Sequence, residues 1–425
     1  MVAILTLANI SGNVDQQVLA LLVRPIERDF GITDVQMSYL LGLAFALFFS
    51  VLGLPIARLA DRSNRRNLMA AGVGLWSVFT TLCASARTFA RLFVLRVGVG
   101  VGEATLNAPG VSLLADYFPR ERRGRAMGVY SLGIFLGSGV AYFLSGVVVG
   151  LLDVPGTRSV PLLGAIRPWQ MVFLAVGLPG FIIALLFLTI REPVRRGMEG
   201  NAAALPLGAL VRYVVANRRT FATHNLGFAM SGLVNFALVA WLPTFFLRTY
   251  GWTEATTGKT MGLMTMSIGV VGVLAGGWAA DWFVQRGQVD GPLRVGIIGS
   301  AGMLVSTTAC ALAPTAIIAV IWLGAVNFFA AFPWGAASAA VAEIVPAPLR
   351  AQGAALYFFV LSIVSQTVGP TAVAWCAEHV FTGNTAVGHA LALVNVISMS
   401  IAIALFVAGL GSYRATLESR DYSIT

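Results

Sequence analysis

Apolar residues fall in long blocks along this chain, and the charged residues gather in the gaps between them. A bilayer core takes about 20 residues of helix to cross. Twelve blocks come close to or exceed that length: 2–24, 35–57, 67–86, 91–117, 126–151, 168–190, 221–247, 257–282, 294–312, 315–342, 351–376 and 387–411. The longest polar interruption, 191–220, holds Arg191, Arg195, Arg196, Arg212, Arg218 and Arg219 and separates two sets of six. The pattern predicts an all-α membrane protein with twelve transmembrane helices in two pseudo-symmetric halves. The expected domains are an N-terminal six-helix bundle over 1–190, a cytoplasmic interdomain loop over 191–220 and a C-terminal six-helix bundle over 221–425.

Composition fits that class. Charged residues make up 11% of the chain and mean hydropathy is +0.82, whereas soluble domains carry about 25% charged residues. The net charge of +10 would suggest nucleic acid in a soluble protein. Here the positive-inside rule accounts for it, and no nucleic-acid partner is expected. With both termini in the cytoplasm, the inner face collects Arg62, Arg65, Arg66, Arg120, Arg122, Arg123, Arg125, the 191–220 loop, Arg286, Arg350 and Arg414. The outer face keeps a thinner set, chiefly Arg24, Arg28, Arg87, Arg91, Arg158, Arg167, Arg248 and Lys259. The expected location is a bacterial inner membrane, and the expected state is a monomer. The first block ends in Arg24-Pro25 rather than a small-residue cleavage site, so it reads as a spanning helix. Cys83, Cys310 and Cys376 lie inside apolar blocks and form neither a disulfide framework nor a metal-ligand spacing. No cofactor is expected. A nucleophile elbow and a phosphate loop are absent from the sequence, which argues against an enzyme and against ATP as driver.

The two halves repeat each other. Phe30-Gly-Ile-Thr-Asp34 aligns with Tyr250-Gly-Trp-Thr-Glu254, and Ala60-Asp61 with Ala280-Asp281, both at an offset of 220. Asp116-Tyr-Phe-Pro119 aligns with Glu343-Ile-Val-Pro346, and Tyr130 with Tyr357, at an offset of 227. Parallel repeats of this kind surround a midplane site in transporters. Thr33 and Thr253 read as helix N-caps, with Gln36 completing a capping box in the first half.

Ala57-Arg-Leu-Ala-Asp-Arg-Ser-Asn-Arg-Arg66 resembles the signature loop that follows the second helix in the major facilitator superfamily. Ala57 and Asn64 stand where that motif has Gly. Gly277-Trp-Ala-Ala-Asp-Trp-Phe-Val-Gln-Arg286 is its echo in the second half, and Arg96 with Gly100-x-Gly102 resembles the fourth-helix motif. Gly100-Val-Gly-Glu-Ala104, Ala115-Asp-Tyr-Phe118 and Asp-Arg-x-Asn-Arg-Arg at 61–66 resemble the spinster subfamily more narrowly. Gly133-x-x-x-Gly137-Ser-Gly139 resembles the antiporter fifth-helix motif, with Ser138 in place of Pro. The resemblance implies sphingolipid or lysophospholipid transport. It also implies that the first and fourth helices stand side by side at the cavity.

Three charged residues lie well inside the blocks: Asp15, Arg96 and Glu103. Arg96 and Glu103 are seven residues apart, close to two helical turns, so they face nearly the same way about 10 Å apart. Measured from the outer ends, Arg96 lies about 8 Å deep, Asp15 about 12 Å and Glu103 about 18 Å. Arg96 can therefore pair with either carboxylate. A carboxylate beside a guanidinium titrates lower than one buried alone, which is the physics of a proton-coupled switch. The structural alternative is a buried ion pair that only locks helices together. Gly98, Gly100 and Gly102 leave room for a neighbouring helix to approach. Asn9, Ser11, Asn13, Gln16 and Asn107 add polar atoms nearby, which serve as cavity lining or as helix–helix hydrogen bonds.

The repeat sharpens this assignment. Asn235 stands at the counterpart of Asp15, and Leu323 and Ala330 at those of Arg96 and Glu103, so the second half lacks the charges. Its tenth block carries Phe328, Phe329, Phe332 and Trp334. With Phe329 and Phe332 as lining, together with Asn235, Tyr357 and Gln366, one wall of the cavity is charged and the other greasy. Acyl chains are then expected against the second half. His224 is expected to make a simple hydrogen bond.

The leading expectation is a proton-linked secondary transporter of an amphipathic lipid, a lysophospholipid or a sphingolipid phosphate. Its partners are substrate, protons and membrane lipids. A drug or organic-anion carrier is the second reading, and a lipid scramblase or non-transporting receptor the third. Asp61, Arg62, Arg65 and Arg66 are expected to form a cytoplasmic gate, the arginines reaching carboxylates and helix C-terminal carbonyls when that side closes. Asp61→Asn should slow the exchange between inward- and outward-open states and leave substrate affinity largely intact. Single-molecule distances across the cytoplasmic face measure this, and an unchanged exchange rate rejects the latch.

Overall fold

The computed structural model describes residues 1–46, 51–52, 55–56, 59–60, 63–117, 136–151, 158–160, 164–193, 207–346 and 349–421. Asp61, Arg62, Tyr130 and the arginines at 120–125 lie outside the described residues. Within the described residues the apolar blocks are largely helical. In the first half the helices are Val2–Leu21, Asp34–Ser38 running on through a π turn at Tyr39–Leu43, Arg65–Cys83, Phe89–Glu103 continued by Asn107–Tyr117, Leu136–Leu151 and Pro168–Phe187. In the second half they are Arg218–Tyr250, Glu254–Gln285, Gly291–Ala311, Ala316–Ala331 continued by Trp334–Ile344, Gln352–His379 and Ala386–Asp421. Over the described residues alone, seven helices are long and apolar enough to cross a membrane.

The helix starts follow local chemistry. Thr33 accepts from the Gln36 amide and Gln36 returns a bond to the Thr33 amide, a reciprocal cap. Its repeat partner Thr253 accepts from the amide of Thr256. Asn64 and Thr88 cap the third and fourth helices through the amides of Asn67 and Arg91. Each such cap satisfies one of the donors that a helix start leaves free.

Three features depart from the sequence pattern. The fourth block, continuous in hydropathy, is broken just after Glu103. Thr105 turns its hydroxyl onto the Gly102 carbonyl, 2.8 Å away, and fills the space over Gly72. The glycines before it weaken the helix, each by about 1 kcal/mol relative to alanine. The tenth block is divided at Pro333, which lacks the amide a helix interior needs. Between the fifth and sixth helices, Arg158–Val160 pairs antiparallel with Gly164–Ile166 in a short hairpin. Gly164 there adopts φ +72°, a conformation open to glycine without strain.

The described residues form two compact units. Unit 1 comprises Met1–Gly197, Val239–Met266 and Ala374–Val387, and unit 2 comprises Met198–Leu238, Ser267–Val373 and Gly388–Thr425. In unit 1 the third helix packs along the sixth, with Gly177 over Thr81 and Gly180 over Ser77. The sixth helix shows why the fold needs a lipid solvent. Trp169, Phe173, Val176, Gly180 and Ile183 are buried, while Leu178, Ile182 and Leu185 are 54%, 64% and 65% exposed on one stripe. A contiguous apolar stripe of this kind belongs against hydrocarbon. In unit 2 the core gathers Phe228, Leu293, Ile344, Tyr357, Phe406 and Tyr413, with Gly227 and Gly296 lying against the Phe406 ring. Buried Asp290 pairs with Arg294 and Arg414 and ties the start of the ninth helix to the end of the twelfth.

The glycines of the fourth helix are contact positions. A Cβ on Gly98 would meet the Phe79 ring at 2.5 Å, and one on Gly102 would meet Trp76 at 2.7 Å. One on Gly100 would lie 3.0 Å from the Phe45 carbonyl of the second helix. Gly102→Ala should therefore lower stability by about 1–3 kcal/mol through overpacking. Gly277→Ala should change little, since a Cβ there meets nothing within 4 Å. Thermal unfolding of the two detergent-solubilised variants checks this, and equal melting temperatures would count against close packing as the reason for the glycines.

Candidate functional site

The first and fourth helices of unit 1 bring the three intramembrane charges together. The Arg96 Nη1 donates to Asp15 Oδ2 at 3.1 Å and reaches the Asp15 carbonyl at 3.4 Å. Both side chains are 2% exposed. The next residue on the first helix, Gln16, donates to Glu103 Oε2 at 2.6 Å. Adjacent residues on one helix thus engage positions two turns apart on the other. Gly12 lies beside this contact: a Cβ there would be in ordinary van der Waals contact with Glu103 Oε2, 3.4 Å away. Of the two carboxylates that the sequence offers to Arg96, Asp15 is the one it holds.

This arrangement is dry and incompletely satisfied. Arg96 Nε and Glu103 Oε1 are buried without a hydrogen-bond partner among the described residues. A buried charge or polar atom left unpaired is costly, so such atoms mark places that rearrange or receive a ligand. Asn13 has local partners. Its amide donates to the carbonyl and side-chain oxygen of Asn9, and its own oxygen accepts from Ser138 of the fifth helix. Asn107 opens the second segment of the fourth helix, and its side chain lies outside the described part.

The arginines of the signature loop are held within unit 1. Buried Arg65 donates through Nη1 to Asp116 Oδ2 at 2.5 Å and to Ser112 Oγ at 2.8 Å, and through Nε to Glu192 Oε1 at 2.8 Å. Burial opposes the charge on Arg65, but the bonds to Glu192 and Asp116 outweigh it and hold the guanidinium charged. Arg66 donates its amide to Glu192 and its Nη1 to the Ile190 carbonyl, 3.3 Å away at the end of the sixth helix. The third, fourth and sixth helices are tied together at this end. Asp116 drew attention in the sequence as a repeat match and as part of the Ala115–Phe118 resemblance, and Glu192 drew none, because a charge in a loop carries no depth signal.

At the opposite end of unit 1, Arg248 makes a bidentate pair with Asp34, both bonds 2.6 Å, and donates to Glu27 Oε2 at 2.9 Å. In the sequence Arg248 is expected only as an outer-face charge and Asp34 only as a repeat match, and the two carboxylates lie more than 200 positions from Arg248 in the chain.

In unit 2 a small cavity is lined by Asn235, Ala330, Phe228, Trp334, Tyr357 and Leu361, among others. Asn235 and Ala330, the counterparts of Asp15 and Glu103, thus face the same space. Two expected lining residues lie elsewhere: Phe329 packs over Gly302 of the ninth helix, and Phe332 is buried with Phe328 and Val295. Trp334, beyond the Pro333 break, takes the lining place instead. Gln366 sits half-buried in a π turn at Ile363–Val368. His224 is fully buried, bonded to Asn225, edge-on to the Phe228 ring and tilted against that of Tyr357.

The Major Facilitator Superfamily model matches residues 5–289. The chain is 26% identical over 362 residues to a probable L-galactonate transporter of Escherichia coli, covering 80% of this chain and 75% of that one. It is 29% identical over 331 residues to protein spinster homolog 1 of Homo sapiens, covering 73% of this chain and 60% of the human protein. Its fold matches a bacterial homolog of the human lysosomal transporter spinster, solved inward-facing and unoccupied, with TM-score 0.78, 24% identity, and coverage of 98% of this chain and 96% of that one.

The ion pair gives a stability test. Asp15→Asn leaves Arg96 buried without a counter-charge and should cost about 3–5 kcal/mol, whereas Asp15→Asn combined with Arg96→Met should recover much of that. Unfolding of both variants in detergent measures the difference, and a double variant no more stable than the single one would show that the pair is not what is lost.

Proposed function

We propose, from the premise that the chain belongs to the Major Facilitator Superfamily as a spinster-like membrane transporter, that it moves an amphipathic lipid with an anionic headgroup, coupled to protons and by alternating access. A lysophospholipid or a sphingolipid phosphate fits this description. The observation that carries the reading is buried Arg96, held by Asp15 on one side and with Nε lacking an acceptor. A phosphate or carboxylate headgroup offers oxygens in the geometry that a guanidinium fork accepts in pairs.

The proton enters through Asp15. While Asp15 is ionised it competes with a headgroup for Arg96. A proton on Asp15 removes that competition and frees the fork. Glu103, bonded to the neutral Gln16 rather than to a cation, is a second place for a proton two turns farther along. Because Asp15 and Glu103 lie around one arginine, they titrate as a coupled pair. The arginine excess at the Arg65 end supports placing that end, with both termini, in the cytoplasm.

An organic-anion carrier is the second reading. The likeness to a probable galactonate transporter favours it, since a sugar acid would offer Arg96 the same carboxylate chemistry. Uptake by proteoliposomes loaded with a pH-sensitive dye separates the two. Lysophospholipids and sphingolipid phosphates, but not sugar acids, should drive transport with a matching proton movement. Arg96→Lys should abolish transport, because a point charge on a flexible stem cannot reproduce the paired bonds. Glu103→Gln should keep substrate binding and lose pH dependence. Wild-type transport that does not vary from about pH 5 to 9, where displaced carboxylates titrate, would end the proton-coupling reading.

A further inference from the structure

The cluster at the Arg248 end is not explained by substrate or by the Asp15 site. Glu27 lies on the short helix Val23–Phe30, Asp34 begins the second helix, and Arg248 lies near the end of Arg218–Tyr250. The side chains are 14%, 11% and 24% exposed in that order. With both carboxyls ionised the cluster is one negative charge in excess in a largely dry place. One proton makes it neutral. Glu27 Oε1 has no hydrogen-bond partner among the described residues, so a protonated Glu27 is free to donate, and Asp34 is the acceptor beside it.

We propose that Glu27, Asp34 and Arg248 form a second proton-binding site, separate from the Asp15 site: this end of unit 1 closes with one proton held between the two carboxyls and opens by releasing it to the solvent there. The same closure is built from side-chain-to-backbone contacts around the cluster. Arg24 donates to the Leu247 carbonyl at 2.8 Å, the Val35 amide donates to Glu378 at 2.7 Å, and the Thr249 hydroxyl donates to the Asn384 carbonyl. The triad is therefore the titrating part of a larger contact that joins residues 239–266 and 374–387 to the first and second helices within unit 1.

The charged groups around Glu27 are accounted for. Asp34 faces it from the second helix and Arg248 from the seventh. On its own helix, Arg24 is turned to the Leu247 carbonyl, Arg28 is exposed, and Asp29 is paired with Arg167 and with the Trp169 ring nitrogen. Glu378 of the eleventh helix is turned to the Val35 amide. Burial pushes the Glu27 carboxyl up, the neighbouring Asp34 pushes it further, and Arg248 offsets this only in part, leaving it at about 8 against an ordinary 4.5. Burial also pushes Asp34 up, but its bonds to Arg248 and Glu27 outweigh this and hold it below the usual range.

The sign follows from these directions. Between about 4.5 and 8 the closed triad keeps a proton on Glu27 that the open state has already lost. Closure is thus favoured at low pH and weakens as pH rises through that window, by up to about tenfold per pH unit for one proton. Asp34 opposes this only at lower pH, where it begins to protonate in the open state.

The test uses the full chain in nanodiscs with its native cysteines replaced and spin labels at exposed Arg91 and Asn384. The short-distance population of the wild type should fall as pH rises from about 5 to about 8.5. In Glu27→Gln the triad is neutral without a titrating proton, so this population should stay high and flat. In Asp34→Asn one ionised Glu27 balances Arg248, so it should also be flat. A wild type whose distances ignore pH over this range overturns the proposal. So does either carboxamide variant that keeps the wild-type pH dependence, or one that opens this end at every pH, as loss of a merely structural ion pair would. Glu103→Gln, which leaves the triad untouched, should keep the wild-type dependence of these distances, and its loss there would assign the proton to the Asp15 site instead.

Discussion

A single arginine inside the membrane constrains the first half of this protein. Holding a guanidinium in hydrocarbon is expensive unless a counter-charge and hydrogen bonds meet it. Arg96 meets that condition through Asp15, and the pairing sets the register between the first and fourth helices. Once Asp15 faces Arg96, the next residue, Gln16, reaches Glu103. Gly98 and Gly102 must remain small where the third helix presses from the other side.

The pair is also left incomplete. Arg96 Nε and Glu103 Oε1 stay buried and without a partner among the described residues. The Arg65 network in the same unit differs: two carboxylates and a serine hydroxyl surround one guanidinium where the third, fourth and sixth helices meet. Arg65 Nη2 is likewise buried without a partner among the described residues, so the two arginines differ in their counter-charges, two on Arg65 and one on Arg96.

The membrane class and the helical blocks were legible in the order of residues. Hydrocarbon imposes a length and an apolar composition on each crossing segment, and both can be read without knowing any contact. The caps at Thr33 and Thr253 were legible for the same reason, since a cap depends on residues three apart. The three intramembrane charges stood out because charge is rare at that depth. What hydropathy could not show were the break after Glu103, which depends on Thr105 filling the space over Gly72, and the place of Phe329 and Phe332, which are packed on the ninth helix and among neighbouring rings rather than at the cavity.

Sequence alone therefore determined what this chain dissolves in, how many times it turns back and which residues are too costly to be accidental. Those are properties of single segments in a given solvent. Tertiary structure decided the partnerships: that Arg96 takes Asp15 and Glu103 takes Gln16, that Arg65 takes Asp116 and Glu192, and that Glu27 and Asp34 share Arg248 across more than 200 residues. The physical reason is that a charge in a sequence states only a need for compensation. Which group supplies it depends on distances of a few ångströms between helices, and those are set by packing.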